Sequence, residues 1–496
     1  MNPAQHRGMS LTSAPDTMST LPSSAARSAC LDRASAVFDD GRYLDVLTRR
    51  VAMRTDSDGG NPDVTPLAAY LAQEILPGLQ ALGFEGRLIA NPAGRGGPML
   101  IARRVEDPDL PTLLSYGHGD VVSGQDASWR NGRSPWCLSV EGERWYGRGT
   151  ADNKGQHTIC LLALEQVLAA RDGRLGYNMT LLLETGEELG SPGLREVCKQ
   201  EREALQADLF IASDGPRVNA SRPTLFLGSR GSVNFKLRLK ARDLAYHSGN
   251  WGGVLANPGI RLSHAIASLV DERGQLQVAG LRPPPLSPAL RRVLAEIEVG
   301  GGPDDPALSE GWGEAGLSAA ERLFGWNTLE VLALHAGRPE RPVNAIPPEA
   351  TAHLQLRFVV GTDWPRTEAI LRQHLDAAGF ADVQIEIGMV SPATRLDVEH
   401  PWVNWAADSI TRSSDGGQRP TLLPNLAGSL PNDLFVDLLG LPTLWVPHSY
   451  PACAQHAPDE HLLAPIAREG LRLMAGLYWD LGEPGAPWGS ATRPHA

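Results

Sequence analysis

The feature that most constrains the fold is the alternation of short apolar runs with helical patterns between Pro111 and Asp214. Three runs, PTLLSYGH, NMTLLLE and ADLFIASD, are nearly continuous in apolar residues and predict strands. Between them, NKGQHTICLLALEQVLAARDG places Leu161, Leu164 and Leu168 on one helical face, and PGLREVCKQEREAL predicts a second helix. This order predicts a mostly parallel sheet covered by helices on both faces, with ligand sites at the carboxyl ends of its strands.

A different pattern begins near Gly228. In SVNFKLRLKAR, apolar residues alternate strictly with polar ones, which is typical of a strand with one buried and one solvated face. A helix (NPGIRLSHAIASLVDERG), an irregular Gly/Pro-rich stretch (about 281–325), a strand (ATAHLQLRF), a helix (RTEAILRQHLDAAGF) and a strand (VQIEIGM) follow. Two strand-helix-strand halves of this kind predict an α+β, ferredoxin-like domain inserted into the larger α/β domain. The predicted boundaries are 1–27 for a flexible tail, 28–227 and 395–496 for the larger domain, and 228–394 for the inserted one.

Composition excludes several classes of protein. The 496 residues suffice for two to four domains, and 45 Lys+Arg against 57 Asp+Glu give a net charge of −12, which argues against a nucleic-acid partner. No stretch approaches the roughly 18 apolar residues of a membrane span, so no membrane partner is expected. The first 30 residues lack the apolar core of a secretory signal, which makes the cytoplasm the default location, with Met1, Met9 or Met18 as the start.

Candidate metal ligands follow the predicted strands. His118 and Asp120, in GHGD, stand two residues apart, so Asp120 can hold one imidazole nitrogen of His118 while the other nitrogen faces a metal. Each of these candidate ligands has an ordinary alternative role, such as capping a helix or belonging to a solvated acidic loop. Most of the candidates, however, fall at one edge of the same predicted sheet. The further candidates are Asp152, Glu187, Glu188, Asp214 and His456, with His448 and His461 as competitors.

Two histidines and three carboxylates are a suitable ligand set for two divalent ions. One carboxylate can bridge the ions, and positions remain open for water. Mixed nitrogen and oxygen donors suit zinc, manganese or cobalt. We expect two divalent ions per subunit, zinc in the first place.

The ordered motifs GHGDVV, GRGTADNKG, ETGEELGSPGL, IASDGP, YHSGNWGG, RPVNAIPPEATAHLQLRF and HAPDEH resemble one known family. It is the co-catalytic di-metal metallopeptidase family of carnosinase-type dipeptidases, aminoacylase, carboxypeptidase G and succinyl-diaminopimelate desuccinylase. The resemblance covers roughly residues 40–480. It implies that Asp152 bridges two metals, that His118 and Asp214 complete one site, and that Glu188 and His456 complete the other.

The same resemblance assigns roles to the remaining candidates. Glu187 would be the general acid/base, Asp120 would orient His118, and the peptide bond after Asp152 would be cis. The larger domain would be catalytic, and the inserted domain would be a lid that also forms a homodimer. Within the lid, His247 would stabilise the oxyanion, often from the partner subunit, and Asn344 would assist there. Arg357 would bind a substrate carboxylate, and Gly428 and Ser429, in a loop beside the lid, would contact substrate.

The function implied is hydrolysis of a C–N amide or peptide bond in a small carboxylate-bearing substrate. A hydroxide held between the ions would attack, with Glu187 moving the proton. The main alternative is an N-acyl amino acid deacylase or a non-peptide amidohydrolase on the same scaffold. Leu426 favours that alternative, because carnosinase-like members are expected to carry an acidic residue near this position. A non-catalytic metal-binding relative is the third interpretation, and Glu187 beside a full ligand set argues against it.

Overall fold

The structure is a computed structural model that describes residues 24–57, 63–301 and 305–489. Residues 1–23 of the predicted flexible tail lie outside the described residues. Its last four residues, 24–27, do not belong to a tail, because they form the first turn of a helix that packs on the core of the larger domain.

The described residues form the helices α1 (Ser24–Asp39), α2 (Arg42–Ala52), α3 (Thr65–Ala69), α4 (Leu76–Ala81), α5 (Lys154–Ala170), α6 (Leu194–Gln200), α7 (Ser248–Trp251), α8 (Pro258–Leu269), α9 (Pro288–Leu294), α10 (Ala319–Gly325), α11 (Thr367–Ala377), α12 (Pro401–Ser413) and α13 (Ala464–Leu481).

The strands are β1 (Glu85–Ile89), β2 (Met99–Arg104), β3 (Thr112–His118), β4 (Ser139–Glu141), β5 (Arg144–Tyr146), β6 (Asn178–Glu184), β7 (Leu209–Ala212), β8 (Thr224–Phe226), β9 (Gly228–Ser229), β10 (Gly231–Lys240), β11 (Tyr246–His247), β12 (Thr328–Ala336), β13 (Ala345–Ile346), β14 (Glu349–Phe358), β15 (Gln384–Ser391), β16 (Thr394–Arg395), β17 (Thr421–Leu423), β18 (Thr443–Trp445) and β19 (His461–Leu463).

The larger domain is built on a sheet of order β1-β2-β6-β3-β7-β18-β8-β17. Its central strands β6, β3, β7 and β18 are parallel, while β1 and β2 at one edge and the β18–β8 pair are antiparallel. Helix α5 packs beside α13, α1 and α2, so it is buried on more than one face. The predicted α/β class, with a mostly parallel sheet covered on both faces, is confirmed.

The inserted part is a four-stranded antiparallel sheet of order β12-β14-β10-β15 with α8 and α11 packed against it. In β10, Val233, Phe235, Leu237 and Leu239 are buried, as the strict alternation predicts, because successive side chains of a strand point to opposite faces. The α+β, ferredoxin-like character of this part is confirmed.

One stretch of the predicted inserted domain packs elsewhere. Residues 286–299 and 317–324, which include α9 and α10, contribute Leu290, Leu294 and Phe324 to the core on one face of the larger sheet, together with Phe210 and Trp445. The sequence suggests an irregular segment here, because its apolar residues are separated by Gly and Pro. The boundaries 228 and 394 remain a prediction.

Within the part of the chain that the structure describes, every helix is too short or too polar to span a bilayer.

Candidate metal centre and active site

Four of the candidate ligands lie at the carboxyl ends of parallel strands. His118 is the last residue of β3, Asp214 follows β7, and Glu187 and Glu188 form a tight turn just after β6. Asp152 stands two residues before α5. Because the carboxyl ends of parallel strands meet at one edge of a sheet, side chains distant in sequence converge there.

Two ligand groups result, and Asp152 belongs to both. His118, Asp152 and Asp214 form one group, and Asp152, Glu188 and His456 form the other, each with ligand atoms within 4.8 Å of one another. One carboxylate oxygen of Asp152, Oδ1, lies 3.0 Å from His118 Nε2, while Oδ2 lies 3.2 Å from His456 Nε2. A single carboxylate thus presents one oxygen to each group.

The remaining distances complete the two groups. His118 Nε2 lies 3.5 Å from Asp214 Oδ2, and His456 Nε2 lies 3.1 Å from Glu188 Oε2. His456 lies in the loop after β18, and its backbone adopts the left-handed region with a φ of 61°. The peptide bond between Asp152 and Asn153 is cis, as the resemblance implies.

The electrostatics of the cluster fit bound cations. Burial raises the pKa of Glu188 to about 7 and, together with the charge of Asp152, that of Asp214 to about 6. Asp214 Oδ2 and Glu188 Oε1 are buried and have no hydrogen-bond partner among the described residues. Buried carboxylates this close together repel unless a positive charge lies between them. The donor set, two imidazoles and three carboxylates, matches the ligands that zinc, manganese or cobalt accept.

Asp120 acts on both halves of the site. The Nδ1 nitrogen of His118 lies 3.0 Å from the backbone oxygen of Asp120 and 3.5 Å from its Oδ1. The closer partner of the imidazole is therefore the Asp120 carbonyl, whereas the sequence suggests the carboxylate. That carboxylate instead accepts the backbone N–H groups of Glu187 (3.2 Å) and Glu188 (3.1 Å), and the Ser57 hydroxyl at 2.9 Å.

Glu187 lies in the cleft beside the ligand groups. It lines a cavity of about 200 Å³ together with Ser191, Arg195 and Ser429. Burial raises the pKa of Glu187 well above its usual range. A carboxyl group with a raised pKa beside a metal centre is suited to accept and return a proton at neutral pH.

The substrate-binding candidates form two separate pairs. Arg357 donates from Nη1 to the Ser429 hydroxyl at 2.9 Å, and Gly428 precedes this serine. His247 and Asn344 lie together on the exposed arm formed by β11 and β13, where the Ser248 N–H donates to the Asn344 carbonyl at 2.9 Å. His247 Nδ1 accepts the Gly249 N–H at 3.1 Å, and neither His247 nor Asn344 belongs to the described ligand groups.

The competing histidines have other surroundings. His461 Nε2 lies 2.6 Å from the Tyr450 hydroxyl, and His448 is buried near Gly470 of α13. Neither belongs to the two ligand groups.

Sequence reasoning misses Glu460. Its buried carboxylate accepts the backbone N–H groups of Gly149, Ala151 and Asp152 at 2.9 to 3.1 Å and pairs with Arg148 Nη1 at 2.8 Å. It thus ties the His456 loop to the turn that carries Asp152. The only signal in the sequence is an acid four residues beyond a candidate ligand, in HAPDEH.

Comparisons with known proteins find a matching family profile and several named relatives. The sequence profile described as "Peptidase family M20/M25/M40" matches residues 114–480. The Beta-Ala-His dipeptidase of Mus musculus is 30% identical over 273 residues, which cover 52% of this chain and 54% of that protein. The Cysteinylglycine-S-conjugate dipeptidase of Corynebacterium striatum is 30% identical over 341 residues, 64% of this chain and 71% of that protein. The chain thus spans about half the length of the mouse relative that it matches.

Two solved structures share the fold. The M20 family metallo-carboxypeptidase Sso-CP2 from Sulfolobus solfataricus has a TM-score of 0.74 at 25% identity, over 88% of this chain and 98% of that one. Human carnosine dipeptidase 1 has a TM-score of 0.71 at 21% identity, over 93% of this chain and 100% of that one.

Proposed function

Since this chain belongs to peptidase family M20/M25/M40, we propose that it is a metal-dependent hydrolase of the peptide bond in a small substrate with a free carboxylate. The observation that carries the proposal is the carboxylate of Asp152, which offers one oxygen to each of two ligand groups. Curated relatives named as dipeptidases support peptides over non-peptide amides as substrates.

The cofactor would be two divalent ions per subunit, which His118, Asp152 and Asp214 would hold on one side and Asp152, Glu188 and His456 on the other. When bound, such ions polarise a carbonyl and lower the pKa of a water from 15.7 toward roughly 7. We take zinc as the first candidate, with manganese or cobalt as alternatives.

The chain's own residues move the proton and hold the substrate. Glu187 removes a proton from the attacking water and returns it to the leaving amine. Asp120 holds the backbone of Glu187 in place. Arg357 and Ser429, already joined by a hydrogen bond, bind the substrate carboxylate, for which the planar guanidinium offers two parallel donors.

The oxyanion donors come from the partner subunit of a homodimer. The arm that carries His247 and Asn344 is rich in exposed apolar side chains, and β12 is an edge strand with exposed Leu332 and Leu334. Exposed apolar edge strands favour pairing with a second copy. His247, supported by Asn344, then reaches the partner's metal centre. The cytoplasmic location remains a prediction from the sequence.

A substrate screen tests the activity. Free and N-blocked dipeptides, N-acyl amino acids and simple amides are assayed after loading with Zn²⁺, Mn²⁺ or Co²⁺. We expect the fastest turnover with a free dipeptide. Glu187→Gln keeps the fold and the metal content but loses at least about 100-fold in kcat, because a general base of this kind contributes about 100- to 10,000-fold. Unimpaired turnover by that variant contradicts the assigned base.

Mixing two inactive variants tests the role of His247 across the dimer. Glu187→Gln and His247→Ala are each purified, mixed, dissociated and allowed to reassociate. If His247 acts on the partner's site, each mixed dimer has one intact site out of two. Because random reassociation of equal amounts makes about half of the dimers mixed, about a quarter of wild-type activity returns. If His247 acts within its own subunit, mixing restores nothing. Light scattering that shows only monomer also contradicts this role.

A further inference from the structure

An apolar pocket lies beside the backbone that follows the candidate ligand Asp214. Its volume is about 500 Å³, within the range of roughly 300 to 1,000 Å³ typical of small-molecule sites. It lies where Leu423 of the larger sheet meets residues 298–300 and 305–308, which come from the middle of the predicted inserted domain. The apolar side chains that line it include Val218, Leu308, Leu323, Phe324, Leu423 and Leu426.

Three segments connect this pocket to the candidate active site. Pro216 lines the pocket two residues after the ligand Asp214. The δ-carbons of Leu426 lie 3.0 and 3.6 Å from where a Cβ on Gly215 would stand, so Leu426 packs directly against the backbone next to that ligand. Gly428 lines the pocket immediately before Ser429, the partner of Arg357.

The position of the pocket indicates which part of the substrate enters it. Ser429 lines the smaller cavity that also contains Glu187, whereas Leu426 and Gly428 line the apolar pocket. With the substrate carboxylate at Arg357 and Ser429, on the leaving-amine side, the apolar pocket lined by Leu426 and Gly428 is left for the acyl side of the scissile bond.

Three charged residues, Arg217, Glu298 and Asp305, also line the pocket. Arg217 is buried, and its Nη1 forms an ion pair with Glu469 at 2.6 Å, whereas its Nη2 has no hydrogen-bond partner among the described residues. Of the two acids in the lining, Glu298 is exposed, and Asp305 is half-buried and already has an interaction partner, so a cation near either acid gains little. An apolar group that enters loses its contact with water, and each methylene so buried strengthens binding about fourfold.

We propose that this pocket selects substrates with an uncharged apolar group, up to the size of an aromatic ring, on the acyl side of the scissile bond. This proposal rests on the proposed function and narrows the class of substrates expected at the same site. The group is either the side chain of the first residue of a dipeptide or the acyl chain of an N-acyl amino acid. Both have the same apolar chemistry, and the experiment distinguishes them.

The test compares kcat/KM for Phe-Gly, Leu-Gly, Ala-Gly and Lys-Gly with that for N-(3-phenylpropanoyl)glycine. We expect Phe-Gly to exceed Ala-Gly and Lys-Gly by at least about tenfold. Lys-Gly matches Phe-Gly roughly in length but carries a charge, so equal rates for these two overturn the proposal. Faster turnover of Phe-Gly than of the phenylpropanoyl compound assigns the pocket to a side chain, and the reverse assigns it to an acyl group.

Two substitutions test whether the selectivity for apolar groups arises in this pocket. Leu426→Asn keeps the side-chain size but adds polarity, and Leu308→Ser acts at a residue whose side chain is largely exposed, so it is not expected to impair folding. Each is expected to reduce the ratio of Phe-Gly to Ala-Gly at least about threefold. Val105→Ser, at an exposed apolar residue just after β2, is the matched control and leaves the ratio unchanged. An unchanged ratio in both pocket variants overturns the proposal.

A binding measurement separates this proposal from the proposed activity. Calorimetry with 3-phenylpropanoate and propanoate on the metal-loaded protein needs no turnover. We expect 3-phenylpropanoate to bind at least about tenfold more tightly, and Leu426→Asn to reduce that difference. If no amide is hydrolysed but this preference holds, the proposed activity fails and the apolar pocket stands. If dipeptides are hydrolysed without the preference, the pocket assignment fails and the activity stands.

Discussion

Replacing Glu460 by glutamine tests how Asp152, the proposed bridging ligand, is held in place. The Glu460 carboxylate accepts the N–H groups of Ala151 (2.9 Å) and Asp152 (3.0 Å) through Oε1, and Arg148 Nη1 (2.8 Å) through Oε2. The Gly149 N–H lies within 3.1 Å of both oxygens. In Glu460→Gln, one oxygen remains for the turn, but the new NH₂ group faces the Arg148 donor, so the charge on Arg148 is left buried and unpaired.

The magnitude follows from those contacts. Breaking a buried ion pair by removing one charge costs about 3 to 5 kcal/mol of stability. The cost should fall near the lower end, because Arg148 keeps a hydrogen bond from Nη2 to the Ser123 carbonyl at 3.0 Å. Outer groups that orient a metal ligand are worth about 10- to 100-fold in metal affinity. We therefore expect Glu460→Gln to lose about 3 kcal/mol and to bind both ions at least about tenfold more weakly.

The assay pairs urea unfolding of the metal-free protein with metal titration followed by elemental analysis. The matched control is Asp480→Asn, which changes another buried carboxylate that pairs with arginine. In this case the partners are Arg27 at 2.7 Å and Arg412 at 2.8 Å, and the contacts join α13 to α1 and α12. This variant should lose comparable stability and keep wild-type metal affinity. If Glu460→Gln binds metal as tightly as wild type, or if both variants lose metal affinity equally, the proposed role of Glu460 is wrong.

Two further predictions concern stability and substrate binding. Burial acts to raise the pKa of Asp480, but hydrogen bonds, first of all from Arg27, outweigh burial and hold that pKa below its usual range. A lowered pKa in the folded state means that this stabilisation is complete above the unfolded pKa of about 3.9 and is lost as the pH falls through the folded value. In urea unfolding at several pH values, Asp480→Asn should lack this acid-side loss, and an unchanged dependence on pH would refute the assignment. Arg357→Lys should raise KM about tenfold with little change in kcat, because lysine cannot form two parallel hydrogen bonds to a carboxylate. Steady-state kinetics with an unchanged KM would exclude Arg357 as the carboxylate-binding residue.

The sequence predicts the parts of the structure that depend on local pattern. The alternation around Val233 and Phe235 predicts β10, and the apolar run that ends at Asp214 predicts β7. The family resemblance read from the motifs is confirmed by the match over residues 114–480. The candidate ligands could be placed together because a parallel sheet brings the carboxyl ends of its strands to one edge, whatever the sequence distance between them.

Other features depend on contacts that no local pattern carries. The Asp120 carboxylate binds the amides of Glu187 and Glu188, which are 67 and 68 residues further along the chain. Glu460 binds backbone N–H groups about 310 residues earlier, and backbone amides leave no trace in side-chain composition. No local pattern predicts the packing of residues 286–299 and 317–324 on the larger sheet, because Gly and Pro interrupt their apolar spacing.

Elemental analysis of purified wild type, Asp152→Ala, His118→Ala and His456→Ala, alongside activity before and after chelation, tests the central claim most directly. Because Asp152 contributes one oxygen to each ligand group, we expect two ions per chain in wild type, close to none in Asp152→Ala, and the loss of one ion in each histidine variant. Chelation should abolish wild-type activity, and added metal should restore it. Active protein without divalent metal, or an Asp152→Ala variant that keeps both ions, would contradict the account.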